Sequence, residues 1–88
     1  MSSAKNYVAC DLGAESGRAV VGTFDGERLA TEEVHRFGNR PVRLPNALHW
    51  DILSLLAEVR AGIAAAERDG ALTSLSVDTW GVDFGVLD

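Results

Sequence analysis

Cysteine is nearly absent from this chain: Cys10 is the only one in 88 residues. That excludes an internal disulfide framework and makes a reducing, cytoplasmic setting the expectation. Long apolar runs are missing too, since none approaches the roughly 20 residues needed to cross a bilayer. The opening Met1-Ser2-Ser3-Ala4-Lys5-Asn6 has no apolar stretch behind it, so neither export nor a membrane partner is expected. Positive charge runs out early. Nothing basic follows Arg68, while Asp69, Asp78, Asp83 and Asp88 lie beyond it, and the net charge is −5. Nucleic-acid binding depends on Lys and Arg neutralising phosphates, so no nucleic-acid partner is expected. Internal repeats and low-complexity stretches are absent as well.

What remains is ordinary globular material, 47% hydrophobic and 24% charged. The length allows one small domain at most. A chain of this size buries only about 60–65% of the surface it exposes when unfolded, which makes stability marginal.

Tyr7-Val8-Ala9-Cys10 is a short apolar run that reads as a buried strand ending at Asp11. After Gly13 and Gly17, Ala19-Val20-Val21-Gly22-Thr23-Phe24 forms a second β-branched run. Asp25-Gly26 follows it and predicts a hairpin with a type I′ turn. Residues 29–37 alternate imperfectly, as a strand near a sheet edge would. The first 37 residues therefore predict a three-stranded antiparallel meander. Gly38 to Leu48, which contains both prolines, Pro41 and Pro45, reads as a loop.

A helix is expected from the N-cap Asp51, with Ile52, Leu55, Leu56, Val59, Ile63 and Ala66 at helical spacing as its core stripe. Gly62 within it reads either as close packing or as a tolerated glycine. Gly70 is the expected stop. Leu72 to Asp78 is a fourth strand, parallel to one of the meander because a helix intervenes. Thr79-Trp80-Gly81 breaks it, and an extended apolar segment begins at Val82.

This order, β-β-β-α-β, is the opening of an α/β domain of the ribonuclease-H-like (actin-like ATPase) kind. A complete version needs further α and β units, so residues 1–88 are expected to be an incomplete piece. A self-sufficient small α+β domain is the other reading.

Two stretches carry chemistry. In Asp11-Leu12-Gly13-Ala14-Glu15-Ser16-Gly17-Arg18, glycines let backbone N–H groups approach phosphate oxygens and form an anion nest. Ser16 adds a hydroxyl donor and Arg18 a guanidinium. Asp11 repels phosphate, so its sensible task is to hold Mg²⁺. The stretch matches neither the P-loop nor the Rossmann glycine pattern, and it reads equally as a tight hairpin turn with an incidental acid.

The second stretch is Asp78-Thr79-Trp80-Gly81-Val82-Asp83-Phe84. Ligands collect beyond the carboxyl ends of parallel strands, so Asp11 and Asp78 would face one cleft there. Gly81 permits close approach to the backbone, Trp80 offers a stacking face, and Asp83 accepts from hydroxyls. A turn with a core tryptophan and solvated acids accounts for the same residues. Cys10 reads as a buried strand cysteine, and His35 and His49 lack metal-ligand spacing.

With these residues assembled the chain resembles the FGGY family of carbohydrate kinases. The resemblance rests on residues 8–18, on Glu33-Val34-His35-Arg36-Phe37 with Asn39, on His49-Trp50-Asp51, and above all on Val77 to Phe84. The Asp-x-Gly-x-x-Ser-x-Arg pattern is shared across sugar kinases. Asp-Thr-Trp-Gly-Val-Asp-Phe is narrower and points to the branch that phosphorylates L-rhamnulose.

The resemblance implies ATP-dependent phosphorylation of L-rhamnulose at its 1-hydroxyl, with ATP and Mg²⁺ as cofactors. It assigns the ATP phosphates to Ala14, Glu15, Ser16, Gly17 and Arg18, the metal to Asp11, and the sugar to Gly81 with Asp83. Glu15 departs from the small polar residue often found there, so its side chain is expected to point away from the phosphates. The resemblance makes residues 1–88 the N-terminal part of the first kinase domain, with the general base and adenine pocket downstream. The chain alone is expected to be inactive, and self-association of the piece is an expectation too. Rival readings are glycerol kinase, xylulokinase, an actin-like ATP clamp, and a nuclease holding two metals on Asp11 and Asp78.

Overall fold

The computed structural model describes residues 4–79 and Val86. Three strands form the antiparallel meander: β1 (Lys5–Leu12), β2 (Ser16–Phe24) and β3 (Leu29–Gly38). A small hairpin follows, β4 (Val42–Leu44) with β5 (Ala47–His49), and then α1 (Ile52–Ala66) and β6 (Leu72–Asp78). The main sheet has the order β3-β2-β1-β6, with β6 parallel to β1 and β3 at an edge, as the sequence predicts. The architecture is mixed α/β.

Two local predictions need correction. The β2–β3 turn is not type I′, because Gly26 is left-handed (φ 103°) while Asp25 is not. Asp25 instead accepts from the N–H groups of Glu27 and Arg28 through its own carboxylate, at 2.9 and 2.8 Å. A side chain that closes its own turn removes the need for two left-handed residues. The second correction concerns residues 38–48, which are not all loop. Pro45-Asn46 turns a three-residue hairpin in register Val42↔His49 and Leu44↔Ala47. Proline and asparagine are turn formers, and the strands they join are too short to carry a readable alternation.

The helix begins where expected: Asp51 Oδ1 accepts from the Ser54 N–H at 3.1 Å. A 3-10 turn, Glu67–Asp69, extends it to Gly70, whose φ of 142° ends the element.

The helix lies over β1, β2 and β3. Val8, Cys10, Ala19 and Ala66 are buried at its centre, with Val21, Val34, Val59, Ile63 and Leu72 packed around them. Close approach explains the small residues. A Cβ on Gly62 would sit 2.7 Å from the Ala19 Cβ, so the glycine is a packing requirement. His35 Nε2, 3.1 Å from Glu58 Oε1, ties β3 to the helix.

The helical stripe is less covered than its spacing implies. Ile52 and Leu56 are exposed, and only Gly62 and Ala66 of the helix are buried. The N-terminal turns of α1 have no layer over them among the described residues. Helical periodicity marks an apolar face but does not say how much of it the neighbouring elements reach.

Candidate functional site

The site is built on the register of the sheet. Val8 and Cys10 of β1 face the helix, and alternation then puts Tyr7, Ala9 and Asp11 on the opposite face. Asp11 is the register partner of Arg18 on β2 and of Asp78 on β6. In-register neighbours share a face, so Asp11, Arg18 and Asp78 stand side by side at one end of the open face. Asp11 and Asp78 are close to the carboxyl ends of parallel strands, the location expected for a ligand cleft.

Arg18 is the hub of this end. Its Nη1 donates to Asp11 Oδ2 at 2.7 Å, and its Nη2 donates to Ser16 Oγ at 3.0 Å and to the Ser16 carbonyl at 3.3 Å. Both partners of the Asp11–Arg18 ion pair are partly exposed, so the pair contributes roughly 0–1 kcal/mol to stability. Its effect is on position: it holds a carboxylate and a guanidinium together beside the turn. Arg18 Nε is buried with no hydrogen-bond partner among the described residues.

The turn between β1 and β2 is closed by the Gly13 N–H donating to the Ser16 carbonyl at 3.1 Å. Ala14 and Glu15 are its central residues. Glu15 is exposed, while its carbonyl accepts from the Asn39 N–H at 2.9 Å. Asn39 also donates from Nδ2 to the Gly13 carbonyl at 2.7 Å. Sequence reasoning assigned no role to Asn39. An asparagine just past a strand in a proline-bearing stretch reads as loop; the family resemblance includes it without giving it a task, and its burial marks it out.

The two glycines of the turn answer a steric need within the chain. Neither adopts a left-handed conformation, which among the described residues belongs to Gly26 and Gly70. A Cβ on Gly13 would lie 2.6 Å from the Ser16 carbonyl oxygen, and one on Gly17 would overlap the Phe37 ring. Gly17 is buried. Its missing side chain makes room for Phe37, on the helix side of the sheet.

Gly81 and Asp83, assigned to the sugar from sequence, lie outside the described residues, as does Trp80. Cys10 is a buried thiol whose ionisation burial makes harder, as a core cysteine should be. His35 packs between β3 and α1, and His49 ends the small hairpin. No cluster of three or more metal-ligating side chains occurs among the described residues. Asp11 with Asp78 therefore does not amount to a complete protein-only metal cage. Mg²⁺ retains waters and takes one or two carboxylates plus substrate phosphates, and that donor set fits Asp11.

In sequence the chain is similar to carbohydrate kinases. Relatives include rhamnulokinases, among them that of Oceanobacillus iheyensis, 44% identical over 82 residues and 92% of this chain. The rhamnulokinases of Bacteroides thetaiotaomicron and Pectobacterium atrosepticum are 39% and 41% identical over 94% and 96% of it. The chain spans only 17–18% of the length of these proteins. No family profile matches it.

Proposed function

We propose that this chain is the N-terminal, phosphate-binding part of an ATP-dependent kinase that phosphorylates L-rhamnulose at its 1-hydroxyl. The observation that carries the reading is the convergence of Asp11, Ser16 and Arg18 at one end of the β1–β2 hairpin, in a chain so similar to rhamnulokinases. The fold proposed for the whole is the ribonuclease-H-like kind, of which β1–β3, α1 and β6 are the opening. The setting is the cytoplasm. Among the described residues no helix is long and apolar enough to cross a membrane.

The residues take distinct tasks. Ser16 and Arg18, with the main chain of Ala14, Glu15 and Gly17, bind the ATP phosphates, and Asp11 holds the metal. When bound, Mg²⁺ neutralises phosphate charge and orients the terminal phosphoryl group. Arg18 holds the Asp11 carboxylate in place through its Nη1, and offers the turn's guanidinium to an anion. Gly81 and Asp83 are the sugar contacts, and the general base belongs to a later part of the longer protein. Without it the 88 residues are inactive.

Another sugar kinase of the same family, acting on glycerol or xylulose, is the second reading, favoured by the superfamily-wide Asp-x-Gly-x-x-Ser-x-Arg pattern. A nuclease is disfavoured by the net charge of −5 and by the sugar-kinase pattern of the sequence. The open strand edge and apolar face would also let the isolated piece self-associate.

The test is Gly81→Val in the full-length protein. It should raise the Michaelis constant for L-rhamnulose steeply and leave ATP affinity nearly unchanged. Equal loss of both affinities in a folded variant would remove Gly81 from the sugar site.

A further inference from the structure

Asn39 is the buried polar side chain among the described residues, 8% exposed, and all its described hydrogen bonds go to one turn. It reaches that turn from the end of β3, twenty-six positions along the chain from Gly13. Its Nδ2 holds the Gly13 carbonyl at 2.7 Å and its own N–H holds the Glu15 carbonyl at 2.9 Å. The Ser16 carbonyl is meanwhile taken by Gly13 N–H and Arg18 Nη2. Three carbonyls of a four-residue turn are thus tied inward.

The consequence follows from peptide geometry. In a planar trans peptide the C=O and the following N–H point in opposite directions. Holding the Gly13 carbonyl toward Asn39 therefore directs the Ala14 N–H away from Asn39. Removing carbonyl oxygens from the outer side of the turn also removes partial negative charge that would repel an anion. Phe37, seated against Gly17 two residues earlier in β3, braces the same turn from below.

We propose that Asn39 is the positioning residue of the phosphate turn: it pre-sets the Ala14–Arg18 donors before nucleotide arrives, without touching the nucleotide. This rests on the reading that residues 14–18 hold the ATP phosphates. Donors fixed in advance lose little freedom on binding, so the contribution should appear in nucleotide affinity more than in fold stability.

The experiment compares Asn39→Ala and Asn39→Asp in the full-length protein. The Asp variant keeps the shape and replaces the donor by an acceptor facing the Gly13 carbonyl, so it carries the test if the Ala variant does not fold. The probes are a non-hydrolysable ATP analogue with Mg²⁺, and L-rhamnulose, with dissociation constants from calorimetry and a melting temperature for each variant. Thr23→Val is the control for a lost side-chain hydrogen bond, since Thr23 Oγ1 donates to Asn6 Oδ1 at 2.9 Å toward the other end of the sheet. Both Asn39 variants should weaken the analogue about tenfold, the effect of one lost hydrogen bond of ordinary strength. KM for ATP should rise more than kcat falls, and L-rhamnulose affinity should stay within about twofold. Thr23→Val should lower the melting temperature at least as much as the Asn39 variants do and leave the analogue's affinity alone.

Parallel loss of both affinities would make Asn39 merely structural and overturn the proposal. So would wild-type analogue affinity in a folded Asn39 variant. Arg18→Ala separates the two levels. If it weakens the analogue while the Asn39 variants do not, only the role of Asn39 falls. If neither matters, the phosphate reading of the turn falls with it.

Discussion

The two faces of β1 differ in what they ask of a side chain. On the helix side, Val8 and Cys10 are almost fully buried against Ala19 and Ala66, and glycine at position 62 brings the helix within van der Waals distance. On the other side, Tyr7 and Ala9 line a shallow apolar surface that ends at Asp11, Arg18 and Asp78. Size governs the first face and charge the second. A strand presents its side chains alternately, so eight residues serve both without compromise. Charged groups meet at the strand end because the sheet register brings Asp11 beside Arg18 on one neighbour and Asp78 on the other.

Changes on the open face should therefore disturb function, and changes on the covered face stability. The largest expected effect is on the open face. Asp11→Asn in the full-length protein should lower turnover about a hundredfold at fixed Mg²⁺, with the melting temperature within a few degrees of wild type. Normal turnover at saturating Mg²⁺ would take Asp11 out of the site.

Gly17→Val breaks the division, because position 17 lies in the phosphate stretch yet faces the core. It should destabilise by about 1–3 kcal/mol through overlap with Phe37. Chemical unfolding reads this loss, and Phe37→Ala in the same chain should relieve part of it. Wild-type stability in Gly17→Val would mean that Phe37 has room to move.

Asp51→Ala removes a cap and touches neither face, so about 1 kcal/mol of stability should go and ATP affinity should stay. A change in affinity would mean that α1 is coupled to the turn.

The smallest effect concerns pH. The N–H groups of Arg28 and Glu27 hold the Asp25 carboxyl below its ordinary value. A carboxyl depressed in the folded state stabilises above its unfolded pKa, and that contribution is lost as pH falls through the folded value. Asp25→Ala should therefore shallow the acid limb of the stability profile and leave it unchanged near neutrality in shape. An identical acid limb would show that the turn contributes nothing there.

Much of this was legible in the residues. The meander, the helix with its Asp51 cap and Gly70 stop, and the parallel return of β6 all follow from runs, caps and breakers that act within a few positions. Asp11 and Arg18 stood out as chemistry because acid and arginine flanked a glycine-bearing turn. The small β4–β5 hairpin did not stand out, since three-residue strands are too short to alternate visibly. The exposure of Ile52 and Leu56, 69% and 49%, was hidden for another reason: periodicity marks a face but not its cover.

Local pattern, by itself, determined the order of the elements and the kinds of groups at their ends. Only the tertiary structure decided that Gly17 serves Phe37, that Gly62 serves Ala19, and that Asn39 closes on Gly13. Those three facts join residues on different elements, and they become true only once the meander closes and the helix lands. Propensity and capping are properties of neighbouring residues. Contact between distant ones depends on register, and a register exists only in three dimensions.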